Sequence, residues 1–294
     1  MEPLIVEVRR NGVVEAVHRI HAVAVRDGAV VQEAGDAQLT CYMRSSSKPI
    51  QALPLVRARD DLSQADIAIA CASHDATPEQ LAAAQALLDK AECTEDDFEL
   101  GLQQGRPPHK LHNNCSGKHA GMLALCRANG WPTRGYHEPE HPVQLACAAA
   151  HAEAAGVANA QEFTTAADGC GVVTFAMPLE RMALAFANLP RLDGAPRIVD
   201  ALRNRPHLIG GEDGADVLLI RHTPSLIAKG GAEGLLCAVD TRTSTGYALK
   251  AEDGSSRALA AAAAAFIGVE LPPTIIRNTR GEIVGELSLQ TTTP

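Results

Sequence analysis

The sequence predicts an α+β fold: an antiparallel sheet assembled from N- and C-terminal strands, with packed helices and a helical middle region between them. Three observations predict it. The first forty residues alternate apolar and polar side chains, as in Leu4-Ile5-Val6-Glu7-Val8 and His21-Ala22-Val23-Ala24-Val25, which is the period of a half-buried strand. The middle of the chain spaces its apolar residues three and four apart, which is the period of a helix face. Strand-like composition then returns in Gly234–Asp240, Gly246–Lys250 and Thr274–Leu289.

In chain order, Asp27-Gly28 supplies a tight turn before Ala29-Val30-Val31, so the amino-terminal region reads as an antiparallel meander. Thr77-Pro78-Glu79-Gln80 combines an N-cap, a first-turn proline and a capping-box glutamine ahead of a helix over Leu81–Ala91. Further helices are expected over Gly117–Asn129, Pro142–Ala155, Pro178–Ala187 and Pro196–Arg203. The alanine-rich run Ala258–Val269 is about twelve residues long. A membrane-spanning helix needs roughly twenty, so this run reads as a packed helix. A turn at Arg280-Gly281 divides the last strand region. With no repeat, linker or charge block, residues 1–294 are expected to form a single domain with a helical subregion roughly over 77–205.

Apolar residues make up 46% of the 294-residue chain, enough to bury a core without disulfides or partners. The net charge of −9 and the lack of a Lys/Arg cluster exclude a nucleic-acid or anionic-membrane surface and favour a small-molecule substrate. Glu2, Glu7, Arg9 and Arg10 interrupt the amino-terminal apolar residues, so no secretory signal is read there and a cytoplasmic location is expected. Eight scattered cysteines form no compact framework. A reducing compartment would keep them as thiols.

Arg44-Ser45-Ser46-Ser47-Lys48-Pro49 contains Ser45-x-x-Lys48 where strand gives way to helix. Residues three apart share a helix face, and a partly desolvated lysine there could take the serine proton near neutral pH. Ser45 would be the nucleophile and Lys48 its base. Alone, the motif is more often a helix cap beside a solvated charge. Two further segments weigh against that: Cys71-Ala72-Ser73-His74-Asp75 after the apolar run Ile67–Ala70, and Lys229-Gly230-Gly231 ahead of the strand-like Gly234–Asp240. In this order they echo the three boxes of serine β-lactamases and penicillin-binding proteins, with Ser73 and Lys229 as a second serine–lysine pair.

A second cluster is His112-Asn113-Asn114-Cys115-Ser116-Gly117-Lys118-His119-Ala120-Gly121-Met122, followed about fifty residues later by Asp168-Gly169-Cys170-Gly171. Two thiols near glycine-rich turns can bind zinc as thiolates, although buried cysteine is usually only a small apolar residue. Ligand chemistry alone nominates His119 before Lys118 as the next donor. Asp168 reads as a turn residue, an anchor for a substrate amine, or a group supporting the metal.

These five segments together resemble the asparaginase II, or rhizobial-type (class 3), L-asparaginases. The resemblance implies a β-lactamase-like fold, usually a homodimer, hydrolysing L-asparagine to L-aspartate and ammonia. It implies that Ser45 with Lys48 and Ser73 with Lys229 form two Ser-Lys tandems. It makes Cys115, Lys118 and Cys170 zinc ligands, with Lys118 displacing His119 from that role, and Arg44, His119 and Asp168 substrate-binding residues. Ser47 departs from the small residue expected inside the first box and leaves two extra hydroxyls beside Ser45. Two rivals remain: a β-lactamase-like or other amide or ester hydrolase, and a zinc-thiolate binding or redox-sensing protein in which the serines are only caps.

Overall fold

Alternating strands at the two ends of the chain meet in one sheet, as their patterning requires. The structure, a computed structural model, describes residues 1–290. Two compact units emerge, each built from non-contiguous segments.

The first unit comprises residues 1–41, 178–187 and the chain from Asp213 onward. Its strands are β1 (Leu4–Arg10), β2 (Val13–Arg26), β3 (Ala29–Ala34), β4 (Leu226–Gly231), β5 (Leu235–Asp240), β6 (Thr245–Ala251), β7 (Thr274–Arg277) and β8 (Ile283–Leu289). They run in the order β7-β8-β1-β2-β6-β5-β4, with β3 also paired to β2. The recorded pairings are antiparallel, so amino- and carboxy-terminal strands interleave. Asn11-Gly12 and Asp27-Gly28 make the first two hairpins, both residues of each pair having positive φ. That is the turn whose twist matches the flanking strands.

Helices Ala215–His222 and Leu259–Ile267 pack on this sheet, the first against β4 and the second against β6, β8, β1 and β2. The alanine run thus buries itself on a sheet, as its length predicts. Helix Leu179–Asn188 approaches β6 so closely that a Cβ at Gly246 would lie 1.9 Å from the Ala183 carbonyl oxygen. Only glycine fits at that crossing.

The second unit, Tyr42–Met177 and Asn188–Glu212, is mainly helical. Its helices include Leu53–Ala58, Gln64–Ala70, Pro78–Lys90, Ser116–Asn129, Pro142–Ala155 and Ala195–Asn204. Thr77 accepts from the Gln80 backbone N–H while the Gln80 side chain reaches back, so the capping box read from sequence is formed. Gly130 and Gly156 end their helices in the left-handed conformation. A short hairpin, Thr164–Ala167 with Val173–Pro178, completes the unit. Lys229-Gly230-Gly231 precedes the strand Leu235–Asp240 as expected, and two expectations are adjusted: Leu226–Gly231, which carries Lys229, is a strand in its own right, and helices Leu53–Ala58 and Gln64–Ala70 precede Thr77.

Candidate active site

The first box begins at a strained residue. Arg44 is a non-glycine with φ of 49°, and its N–H is held by Thr174 Oγ1 at 3.1 Å. Such conformations persist where surrounding structure enforces them. Here they turn the chain into the short helix carrying Ser45, Ser46, Ser47 and Lys48. The three serines have different environments. Ser47 is buried and its hydroxyl donates to the Arg44 carbonyl at 2.7 Å. Ser46 is fully buried, and its hydroxyl has no hydrogen-bond partner among the described residues. Ser45 alone of the three is partly open to solvent. The extra hydroxyls therefore do not compete with it for an incoming molecule.

Lys48 is fully buried. Its ammonium donates to the Ala72 carbonyl, to Ser73 Oγ at 3.0 Å and to Cys115 Sγ at 3.3 Å. Backbone bonds hold the second box against these acceptors. Ser73 N–H donates to the Ile209 carbonyl at 2.9 Å and His74 N–H to the Asn114 carbonyl at 3.1 Å. His74 Nδ1 accepts from Ala76 N–H, so Nε2–H donates to Ser116 Oγ at 2.8 Å. The Ser116 hydroxyl in turn donates to the Leu111 carbonyl at 2.8 Å. Burial, then the charge of Lys48, pushes His74 down to about 3 and keeps it neutral.

Helix Ser116–Asn129 delivers Lys118 and His119, with Cys115 at its N-cap position. A Cβ on Gly117 would lie 2.2 Å from the Ile69 carbonyl oxygen, so this glycine lets the helix close onto helix Gln64–Ala70. The thiol of Cys115 hydrogen-bonds Cys170, and Lys118 Nζ donates to Cys170 Sγ at 3.0 Å. Asp168 lies 3.7 Å from Lys118 and accepts from Arg44 Nε at 2.5 Å.

The electrostatics follow from this packing. The Cys115 hydrogen bond pulls the Cys170 thiol down to about 5 against burial, with Lys118 helping. The reciprocal bond and burial push Cys115 up to about 12. Burial works against the Lys118 ammonium, but Cys170, Cys115 and Asp168 outweigh it and raise its pKa. Burial likewise opposes the Asp168 carboxylate, which Lys118 and Arg44 hold below the usual range.

His119 is fully buried, pushed down to about 3 first by burial and then by Lys118. It faces Tyr136 and not a thiol. Tyr136 Oη accepts from Glu99 N–H at 2.9 Å, so its own proton goes to His119 Nδ1 at 2.7 Å. Nε2 must then carry hydrogen, and it has no partner among the described residues. Neither Tyr136 nor the His74–Ser116 bond was read from the sequence. Tyr136 sits in a loop without a motif, and its only advance signal was the scarcity of tyrosine, three in the chain.

Nine of the ten residues read as functional thus belong to the second unit. Seven form a continuous chain of contacts, Arg44, Asp168, Lys118, Cys170, Cys115, Lys48 and Ser73. Ser45 and His119 adjoin it in sequence. The tenth, Lys229, lies in the first unit on β4, buried, with its ammonium 2.7 Å from Asp216.

The family model for L-asparaginase II matches residues 6–287, nearly the whole chain. The chain belongs to the L-asparaginase II family. Among solved structures, Mglu in its native form is similar at 14% identity and a TM-score of 0.45, over 81% of this chain and 60% of Mglu. A β-lactamase from Mycobacterium bovis is similar at 12% identity and a TM-score of 0.36, over 84% of this chain and 94% of its own. SurE with D-Leu gives 13% identity and a TM-score of 0.41, over 93% and 83% of the two chains. No curated protein matches the chain.

A zinc ion can be tested against the donors present. Among the described residues no three His, Cys, Asp or Glu side chains group as a metal-ligand set, so an ion here needs the Lys118 amine as its third donor. Cys115, Lys118 and Cys170 are each at least 94% buried and linked by hydrogen bonds. Two sulfurs and one nitrogen suit zinc chemically once Lys118 and Cys115 release their protons. Among the described residues no helix is long and apolar enough to cross a membrane.

Proposed function

We propose that this protein is an L-asparaginase that hydrolyses L-asparagine to L-aspartate and ammonia through a lysine-activated serine. The observation that carries the reading is the buried Lys48 ammonium on Ser73 Oγ, within one helical turn of the partly open Ser45. In its amine form Lys48 takes the Ser45 proton as Oγ attacks the side-chain amide carbon. The C–N bond breaks, and a proton relayed through Ser73 leaves with the nitrogen as ammonia. Water then cleaves the Ser45 ester and releases aspartate.

Arg44 and Asp168 fit the two ends of an amino acid. Their guanidinium and carboxylate are paired at 2.5 Å, and a zwitterion entering between them replaces one ion pair with two. His119 offers its Nε2–H to a substrate oxygen. Lys229 joins the reaction as the partner of Ser73 on the strength of the Lys-Gly-Gly motif. Cys115, Lys118 and Cys170 would hold zinc, which supplies a fixed positive charge that polarises and orients the substrate. Eight free cysteines suit a reducing cytoplasm, and the family resemblance supports a homodimer.

The 3.0 Å contact favours one variant of this scheme, in which Ser73 itself attacks and Lys48 is its base. Ammonia release from L-asparagine, L-glutamine and buffer, beside nitrocefin turnover, tests the substrate. The proposal expects preference for asparagine, and turnover of nitrocefin alone would sink it. Metal analysis of the purified protein tests the zinc site: about one zinc per chain is expected, reduced when Cys170 is replaced by serine.

A further inference from the structure

The strand-rich unit holds a cavity of about 650 Å³, the size of a small-molecule site. Every residue that lines it belongs to that unit. Its inner wall is aliphatic: Leu235, Leu236 and Leu259 are buried there, with Ile275 half-buried beside them. None of the described residues that line it is aromatic. Its rim is charged, because Arg257, Arg277 and Asp213 line it and are exposed. Asp216 lines it too, but the Lys229 ammonium at 2.7 Å matches its charge. Two guanidinium groups against the one remaining carboxylate leave the rim positive, in a chain whose net charge is −9.

Arg257 is anchored through a buried histidine. Its Nε donates to His18 Nε2 at 2.8 Å. A guanidinium has no acceptor, so His18 Nε2 must accept, and the ring's Nδ1–H donates to Asp253 Oδ2 at 2.6 Å. His18 stands on β2 and is 4% exposed, so the sheet itself fixes the ring and the ring fixes the arginine. Among the described residues the hydrogen bond of Arg257 is through Nε, which leaves both terminal nitrogens for a ligand. Arg277 is tied down as well, by Nη1 donating to the Gly281 carbonyl at 2.7 Å. An arginine already held in place loses less rotamer freedom when it binds.

We propose that this cavity binds an aliphatic monocarboxylate, its chain on the leucine wall and its carboxylate gripped by Arg257 with help from Arg277. Guanidinium nitrogens match a carboxylate in geometry as well as in charge. The wall offers branched aliphatic side chains and no ring to stack on, which favours an alkyl body. Asp213 sets the charge of the head group, since a dianion beside it would meet more repulsion than a monoanion. Neither Arg257 nor Arg277 takes part in the hydrolysis proposed above, so binding here is independent of that reading.

The test is calorimetric titration of the full chain with sodium butanoate, hexanoate and octanoate, beside octylammonium chloride and octanol. Affinity should rise by about fourfold for each methylene added, the worth of burying one such group, at about one octanoate per chain. Octylammonium should bind at least about tenfold more weakly than octanoate, the scale of a lost charge-assisted hydrogen bond. Arg257→Gln should weaken octanoate by about tenfold on the same scale and leave octanol unchanged. His18→Phe keeps the ring but removes the acceptor, and it should weaken octanoate while sparing octanol, a selectivity that a general loosening of the fold would not produce. Should His18→Phe not fold, Arg257→Gln and Arg277→Gln decide, because both side chains are exposed. No saturable octanoate binding up to about 10 mM, equal binding of octanoate and octylammonium, or wild-type affinity in Arg257→Gln would each overturn the proposal. Loss of octanoate binding in saturating L-asparagine would overturn it too, by making the cavity part of the substrate site. Ammonia release that is absent altogether, with octanoate binding as described, would sink the asparaginase reading and leave this site standing.

Discussion

Replacing Gly117 by alanine should disable the enzyme through one methyl group. The Cβ would lie 2.2 Å from the Ile69 carbonyl oxygen and 2.8 Å from its carbon, both backbone atoms that no side-chain rotation can move. Relief requires the two helices to separate by at least about 0.8 Å, the gap between that 2.2 Å and the 3.0 Å below which real Cβ contacts essentially do not occur. Cys115 leads this helix and Cys71 ends the other, so the separation opens the contacts of Lys48 with Cys115 and Ser73. A misplacement near 1 Å costs roughly 100-fold in kcat. Overpacking of this kind costs about 1–3 kcal/mol, a Tm lower by roughly 3–10 °C in a chain of this size. The assay compares three alanine variants by ammonia release and thermal melting. At Gly121 the new methyl meets side-chain atoms alone, Leu55 Cδ2 at 3.1 Å, Ala70 Cβ at 3.2 Å and Leu87 Cδ2 at 3.9 Å, and at Gly101 nothing within 4 Å. Loss should therefore be severe at Gly117, mild at Gly121 and absent at Gly101. Wild-type kcat and Tm for Gly117→Ala would refute the packing argument.

Tyr136→Phe removes the proton that fixes His119, and KM for asparagine should rise about fivefold, the worth of one hydrogen bond. ¹⁵N shifts of His119 should then show a mixture of tautomers, and a pure Nε2–H form would contradict this. His119→Gln, whose amide nitrogen mimics Nε2–H, should retain more activity than His119→Asn, and the reverse order would count against the assigned donor. Stability should fall with acid before carboxylates titrate. Burial holds His74 down to about 3 and His151 down to about 4, whereas an unfolded histidine titrates near 6.5. The unfolded state therefore binds more protons below pH 6.5, and each histidine shifts the unfolding equilibrium up to tenfold toward unfolding per pH unit down to about pH 4. Urea midpoints at pH 7, 6 and 5 measure this slope, which should shrink in His151→Gln. An unchanged midpoint from pH 7 to 5 would show that these histidines are not buried as described.

Much of the fold was legible because local rules and tertiary packing agree. Thr77 with Gln80 forms its capping box, Asp27-Gly28 its hairpin turn, and the alanine run its buried helix. Helices Leu53–Ala58 and Gln64–Ala70 are too short to display a period. Leu226–Gly231 ends in two glycines that carry no strand signal. The motifs named residues but not their states. Three adjacent serines look alike in sequence, and only the fold turns Ser47 onto the Arg44 carbonyl and buries Ser46. Ligand chemistry nominated His119 before Lys118, whereas Tyr136 engages the imidazole and Lys118 reaches Cys170. Asp216 and Tyr136 were invisible because their partners are 13 and 17 residues away with no repeating spacing to link them.

The most direct measurement quenches the enzyme with acid during turnover of L-asparagine and determines intact and peptide masses for wild type, Ser45→Ala and Ser73→Ala. The account predicts an aspartyl ester on the peptide containing Ser45 in the wild type, none in Ser45→Ala, and ammonia release abolished in that variant. An adduct that persists in Ser45→Ala, or that maps to Ser73, would contradict the assignment of Ser45 as the nucleophile.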